Sequence, residues 1–165
     1  MGRKRKKQPM PITRRTLLSL TAAAASLPFL PYAASANARA MSVFKAAGCG
    51  CCEAWINHLQ RAGFAVTATD IDENALAWLK ADNGVPEAMA GCHTGLIGGY
   101  VIEGHVPAAD IERFLAEAPK AVGLAVPGMP VGSPGMEVDS AGGDYDVFML
   151  LDGGRAEIFA RYTAK

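Results

Sequence analysis

Surplus positive charge is missing from this 165-residue sequence, in which sixteen Lys and Arg are matched by sixteen Asp and Glu. The match is uneven along the chain. Positions 3, 4, 5, 6, 7, 14 and 15 hold seven of the basic residues and no acid precedes residue 39. Residues 39–165 therefore carry nine basic against sixteen acidic side chains, a net of −7. Such a balance argues against nucleic acid as a partner and suits a soluble domain that attracts cations. An uninterrupted apolar run of membrane-spanning length is also missing. The stretch opening at Leu17 is broken by Pro28 and Pro31, short of the roughly 20 residues that a spanning helix needs. Cysteine and histidine are scarce too, at four and three residues, yet three of the four cysteines fall within four positions.

The first 38 residues read as a leader. Arg3 to Lys7 form a basic start, Thr13-Arg14-Arg15-Thr16-Leu17-Leu18 opens the apolar run to Leu30, and Ala36-Asn37-Ala38 supplies a small-residue cleavage pattern. Together they predict a twin-arginine signal peptide over 1–38, cleaved to leave a mature domain 39–165 in the bacterial periplasm with no membrane attachment. A domain of that length can bury a core without staples.

Along the mature part, Met41 to Lys45 reads as a first strand, and Trp55, Ile56, Leu59 and Ala62 recur at helical spacing towards a C-terminal Gly63. Phe64 to Thr69 alternates as a strand. Asp70 to Asp72 offers caps for a second helix with Ala75, Leu76 and Leu79 on its apolar face, ended by Asn83-Gly84. Gly98-Gly99 joins two short strands, and Pro107 opens a third helix carrying Ile111, Phe114 and Leu115. Between Gly123 and Glu137, prolines and glycines predict an ordered loop without regular structure that returns towards the cysteines. Tyr145 to Leu151 and Ala156 to Tyr162 then form a terminal hairpin. The expectation is an α/β domain with a thioredoxin-like β-α-β-α-β-β-α core and an added C-terminal β-hairpin. That fold keeps its active site between the first strand and first helix, where Cys49-Gly50-Cys51-Cys52 lies.

Three chemistries compete for these sulfurs. Structural disulfides fit poorly, because a bridge within the turn closes only a few residues and removes little chain entropy. Cys49 and Cys52 form a C-x-x-C at a helix N-terminus, a site for thiol-disulfide exchange, although Cys51 supplies a competing thiol. Metal binding employs all four of Cys49, Cys51, Cys52 and Cys92. Cu(I) accepts two or three bridging thiolates, so the cramped spacing suits it better than tetrahedral zinc. His93, His105, Met129 and Met136 are further candidate donors, with His93 handicapped because neighbours on a strand point to opposite faces. Trp55 reads as core, Glu103 as a solvated or hydrogen-bonded strand end, and His58 as a solvated surface residue.

Cys49-Gly50-Cys51-Cys52 with Trp55, Gly84-Val85-Pro86, Cys92-His93-Thr94, Tyr100 to Pro107, and Val126 to Pro130 with Gly132 to Glu137 together resemble the CopG-like copper-resistance family, over about Met41 to Phe159. The resemblance implies a periplasmic protein of copper homeostasis whose four cysteines hold Cu(I), as one or several ions per chain. It also implies thiol or copper redox activity, so that an oxidoreductase with a periplasmic redox partner is the alternative to holding the metal. A third reading, which the cysteine turn and the negative charge suit, is a copper chaperone that passes ions to a partner protein.

Overall fold

The computed structural model describes residues 39–137 and 142–164; the expected leader lies outside them. One mixed seven-stranded sheet runs through these residues in the order β2-β1-β3-β4-β5-β6-β7. Its strands are β1 (Ala40–Lys45), β2 (Ala65–Asp70), β3 (His93–Ile97), β4 (Tyr100–Glu103), β5 (Gly123–Ala125), β6 (Tyr145–Leu151) and β7 (Arg155–Tyr162). Helices α1 (Gly50–Arg61), α2 (Glu73–Asp82) and α3 (Ala108–Glu117) complete the mixed α/β domain. β1 pairs with β2, and β4 with β5, in parallel; the other neighbours are antiparallel. None of the described helices is long and apolar enough to cross a membrane.

Local chemistry explains most element ends. The Asp72 side chain accepts the Ala75 N–H and starts α2, and Gly63, at φ 89°, turns the chain out of α1. Gly98 and Gly99 both have positive φ, as the two-residue turn between β3 and β4 requires. Alternation then divides the sheet. Ile97, Ile102, Leu124 and Val147 join α1 and α3 through Trp55, Leu59, Ile111 and Phe114 in the larger core. Val101, Ala125 and Leu150 pack with Val85 on the opposite face.

One strand departs from the expectation. Gly123–Ala125, which the composition assigns to the loop, is β5, fully buried between β4 and β6. Three residues are too few for periodicity to register. Gly123 is required there, because a Cβ would lie 1.8 Å from the Val101 carbonyl oxygen.

His58 is not the solvated residue expected from its polar neighbours. Its Nε2 accepts the Ala108 N–H at 3.1 Å, in the first turn of α3, where the N-cap Pro107 has no side chain to offer. Burial lowers its pKa below the ordinary 6.5, helped by Arg61 and opposed by Glu137. The folded protein thus binds this proton less readily than the unfolded chain. The contribution is complete above the unfolded value and is lost as pH falls through the depressed one. Between about pH 7 and pH 5, the melting temperature should fall more steeply for the parent than for His58→Gln, which cannot titrate. Parallel curves in thermal melts would remove His58 as a cap.

Candidate metal centre

The cysteine turn follows β1. Gly48, at φ 73°, swings the chain so that Cys49 becomes the N-cap of α1, and Cys51 and Cys52 lie in the helix's first turn. Register brings the fourth sulfur. β3 runs antiparallel to β1 with Lys45 opposite His93, so the residue before β3, Cys92, arrives beside the turn. Cys92 Sγ lies 3.8 Å from Cys51 Sγ and 3.5 Å from Cys52 Sγ, and Cys49 Sγ is 3.6 Å from Cys51 Sγ. All four sulfurs fall within 4.8 Å of one another.

The four divide into two pairs. Cys49 and Cys52 are joined by a disulfide, while Cys51 and Cys92 are free. The bridge falls on the C-x-x-C pair despite the short loop it closes. Four thiolates are therefore available to a soft cation only after two-electron reduction.

His93 also reaches the site. Its Nδ1 lies 3.3 Å from Cys92 Sγ, against the alternation argument, because Cys92 precedes the strand and is free of its pleat. His105 is placed by the β3–β4 hairpin, with Nε2 3.1 Å from Cys92 Sγ. Its Nδ1 lies 2.7 Å from the Pro134 carbonyl; since a carbonyl only accepts, Nδ1 carries the proton and Nε2 offers a lone pair to the sulfur. Cys92, His93 and His105 form a second cluster of potential donors, contiguous with the first.

Burial holds these groups neutral. It pushes the Cys92 thiol up to about 12, with the neighbouring Cys51 adding to the effect. Burial likewise depresses His93 to about 3, aided by His105 and Lys80, and lowers His105 against the Pro134 carbonyl and Glu137. His93 is fully buried between Trp55, at 4.2 Å between ring centroids, and His105, at 5.0 Å. Its Nε2 has no hydrogen-bond partner among the described residues. A neutral His93 can present Nδ1 to an ion at Cys92 in the tautomer that leaves the proton on Nε2.

The proline-glycine loop returns to the cysteines as expected. β5 runs parallel to β4 and so delivers residues 126–137 to the same sheet edge. Gly135, at φ 88°, sits so close to α1 that a Cβ would lie 2.8 Å from both the Cys51 carbonyl oxygen and the Trp55 nitrogen. Met129 places its sulfur 3.9 Å from Cys51 Sγ. Met136 is tied into the loop through its backbone instead, donating to the Ser133 carbonyl and accepting from the Gly132 N–H. Trp55 is fully buried, its indole N–H on the Val106 carbonyl at 2.8 Å.

Behind the site lies a network that was not legible beforehand. Glu103 is fully buried, so the solvated alternative fails and the hydrogen-bonded one holds. Its carboxylate accepts from Gly91 N–H at 2.7 Å and Thr94 Oγ1 at 2.8 Å and is paired with Lys80 of α2. Lys80 also donates to Thr94 Oγ1 at 3.0 Å. Glu103 thereby holds the backbone immediately before Cys92. Its signal in sequence is only a Glu and a Lys in different elements, which no spacing rule connects.

Comparison with known proteins gives two kinds of match. Residues 89–136 match the family described as "Protein of unknown function, DUF411". Among solved structures, the chain is similar to "Copper resistance protein copG- Form 1", with 47% identity over 75% of this chain and 97% of that one, at a TM-score of 0.70. A second solved structure, "Copper resistance protein copG- Form 2", matches with 47% identity over 74% of this chain and 97% of that one, at a TM-score of 0.69. No curated protein matches the chain.

Replacing Glu103 by Ala should strand the Lys80 ammonium in a site where its side chain is only 12% exposed, at a cost of about 3–5 kcal/mol in chemical denaturation. Combining it with Lys80→Met should recover much of that loss. A single variant as stable as the parent would show that the pair does not hold the segment before Cys92.

Proposed function

We propose, from the premise that this chain belongs to the CopG-like copper-resistance family, that it binds Cu(I) as cargo through Cys49, Cys51, Cys52 and Cys92. The proposal extends to export of the domain 39–165 by the twin-arginine route and to copper homeostasis in the periplasm. It also reads the strand order β2-β1-β3-β4, with β1 and β2 parallel and β3 and β4 antiparallel, as a thioredoxin-like core. The observation that carries it is the meeting of four sulfurs within 4.8 Å. Such crowding suits a soft cation that shares bridging thiolates and permits one or several ions per chain. Neutral His93 and His105 both lie against Cys92 Sγ, at 3.3 and 3.1 Å, and can complete the shell of an ion held there.

Two consequences follow from the sulfur chemistry. Cys92 is held as a thiol at neutral pH, so binding must expel its proton and should strengthen as pH rises. Disulfide-linked Cys49 and Cys52 must first be reduced.

A second reading is thiol-disulfide or copper oxidoreductase activity. The bridge itself favours it: Cys49 is half-buried at the helix N-terminus and Cys52 is fully buried. That is the division between an attacking and a resolving thiol. Reduced Cys49 would attack a partner's disulfide, and Cys52 would displace the partner as a dithiol, leaving the observed bridge.

Anaerobic Cu(I) titration of residues 39–165, before and after reduction, tests both readings. Thiol assay should give the two free cysteines before reduction and all four after it. Copper uptake should rise on reduction and release protons. Cys51→Ser should weaken binding at least about tenfold, near 1.4 kcal/mol, while sparing exchange through Cys49 and Cys52. Unchanged copper content in that variant would overturn the four-cysteine set. Metal-free protein with rapid disulfide exchange would establish the second reading.

A further inference from the structure

Met129 is out of place for its residue type. The residue is 53% exposed, although methionine is ordinarily a core residue. Exposure here is not slack in the loop. Gly128 bridges to Gly91 and donates its N–H to the Ala90 carbonyl at 3.0 Å. On the other side, Ser133 closes on the Pro130 carbonyl through both its N–H, at 3.2 Å, and its hydroxyl, at 2.7 Å. Val131 accepts the Gly143 N–H at 2.9 Å. Met129 is therefore held outwards by a fixed backbone.

Depth and contact order the sulfurs. Met129 is exposed, Cys51 and Cys92 are half-buried, and Cys52 is fully buried. Met129 Sδ touches Cys51 Sγ at 3.9 Å, and Cys51 in turn touches Cys49 at 3.6 Å and Cys92 at 3.8 Å. Sulfur thus leads without a break from solvent to the interior. A thioether is neutral, needs no deprotonation and favours Cu(I) over harder cations, yet holds it less firmly than a thiolate. Those properties belong to a step on a path, not to its end.

We infer that Met129 is the transfer ligand by which Cu(I) passes between the cysteine cluster and an external protein whose own donors are soft sulfurs. The inference rests on the copper reading above. Transfer is ligand exchange with no change in oxidation state. A bond from Cu(I) to a donor sulfur breaks as one to Met129 Sδ forms. That bond then yields to Cys51, whose thiol releases its proton to solvent, and export runs in reverse.

The test loads the reduced domain from a Cu(I)-charged, methionine-rich peptide in stopped flow and follows copper–thiolate absorbance in the near ultraviolet. Met129→Leu keeps size and exposure but removes the sulfur, and should slow loading by about tenfold or more. Val131→Ala, which alters an exposed apolar neighbour 43% accessible, should load like the parent. A Met129→Leu protein that loads at the parental rate overturns the inference. So does one that loads at that rate but stops at a lower copper content, the mark of a holding ligand. Failure of the reduced parent itself to take copper would defeat the copper reading and this inference with it.

Discussion

The site depends above all on the antiparallel pairing of β1 with β3 in the register that sets Lys45 opposite His93. Cysteines 49, 51 and 52 are neighbours by covalent connection alone, but Cys92 is forty residues beyond Cys52. A slip of one residue in that ladder would turn His93 away from Trp55 and shift Cys92 along the sheet edge. The hairpin through Gly98 and Gly99 then carries the same register to β4 and so to His105. The parallel strand β5 carries it on to the loop bearing Met129. Everything that meets at the cluster is suspended from one sheet edge.

That edge is supported unequally on its two faces. On the α1 side, His93 and His105 are buried and uncharged, with Trp55 packed against His93. On the α2 side, Glu103 and Lys80 form a buried ion pair satisfied by Thr94 and the Gly91 N–H. Buried charge pairs add little net stability over apolar replacements, but they penalise any arrangement that separates the partners. Here the penalty falls on movement of the segment just before Cys92. Glycine at 91 is part of the same device, since a Cβ there would lie 2.7 Å from the Gly104 Cα.

The two proposed chemistries, copper holding and thiol exchange, would draw on the same atoms, so the oxidation state of Cys49 and Cys52 would decide which is open. With the bridge closed, Cys51, Cys92 and Met129 are the sulfur donors left, all in one chain of contacts. With it open, four thiols surround one small volume. Cys92, held as a thiol by burial, would make a copper-loaded state sensitive to pH as well as to reductant. The outward Met129 gives the same centre a first sulfur that has no proton of its own to lose.

Much of this was legible from the order of residues. Asp72, Asn83, Gly63, the Gly98-Gly99 pair and Pro107 mark element ends through local backbone chemistry, which acts within a few residues. The crowding of Cys49, Cys51 and Cys52 needs only the chain's own connectivity. β5 was hidden because three buried residues carry no period. His58 looked solvated because its partner, the Ala108 N–H, is fifty residues away. The alternation rule misjudged His93 because it assumed a regular strand at Cys92, where the strand has not yet begun. The Glu103–Lys80 pair and the 3.9 Å approach of Met129 to Cys51 exist only after sheet register and loop path are set. The sequence by itself determined which soft donors this protein possesses and the elements that bear them, because propensity and capping are local. Only the tertiary structure decided which of them meet, which are bridged and which are stripped of water, because those properties depend on groups that long-range pairing alone brings together.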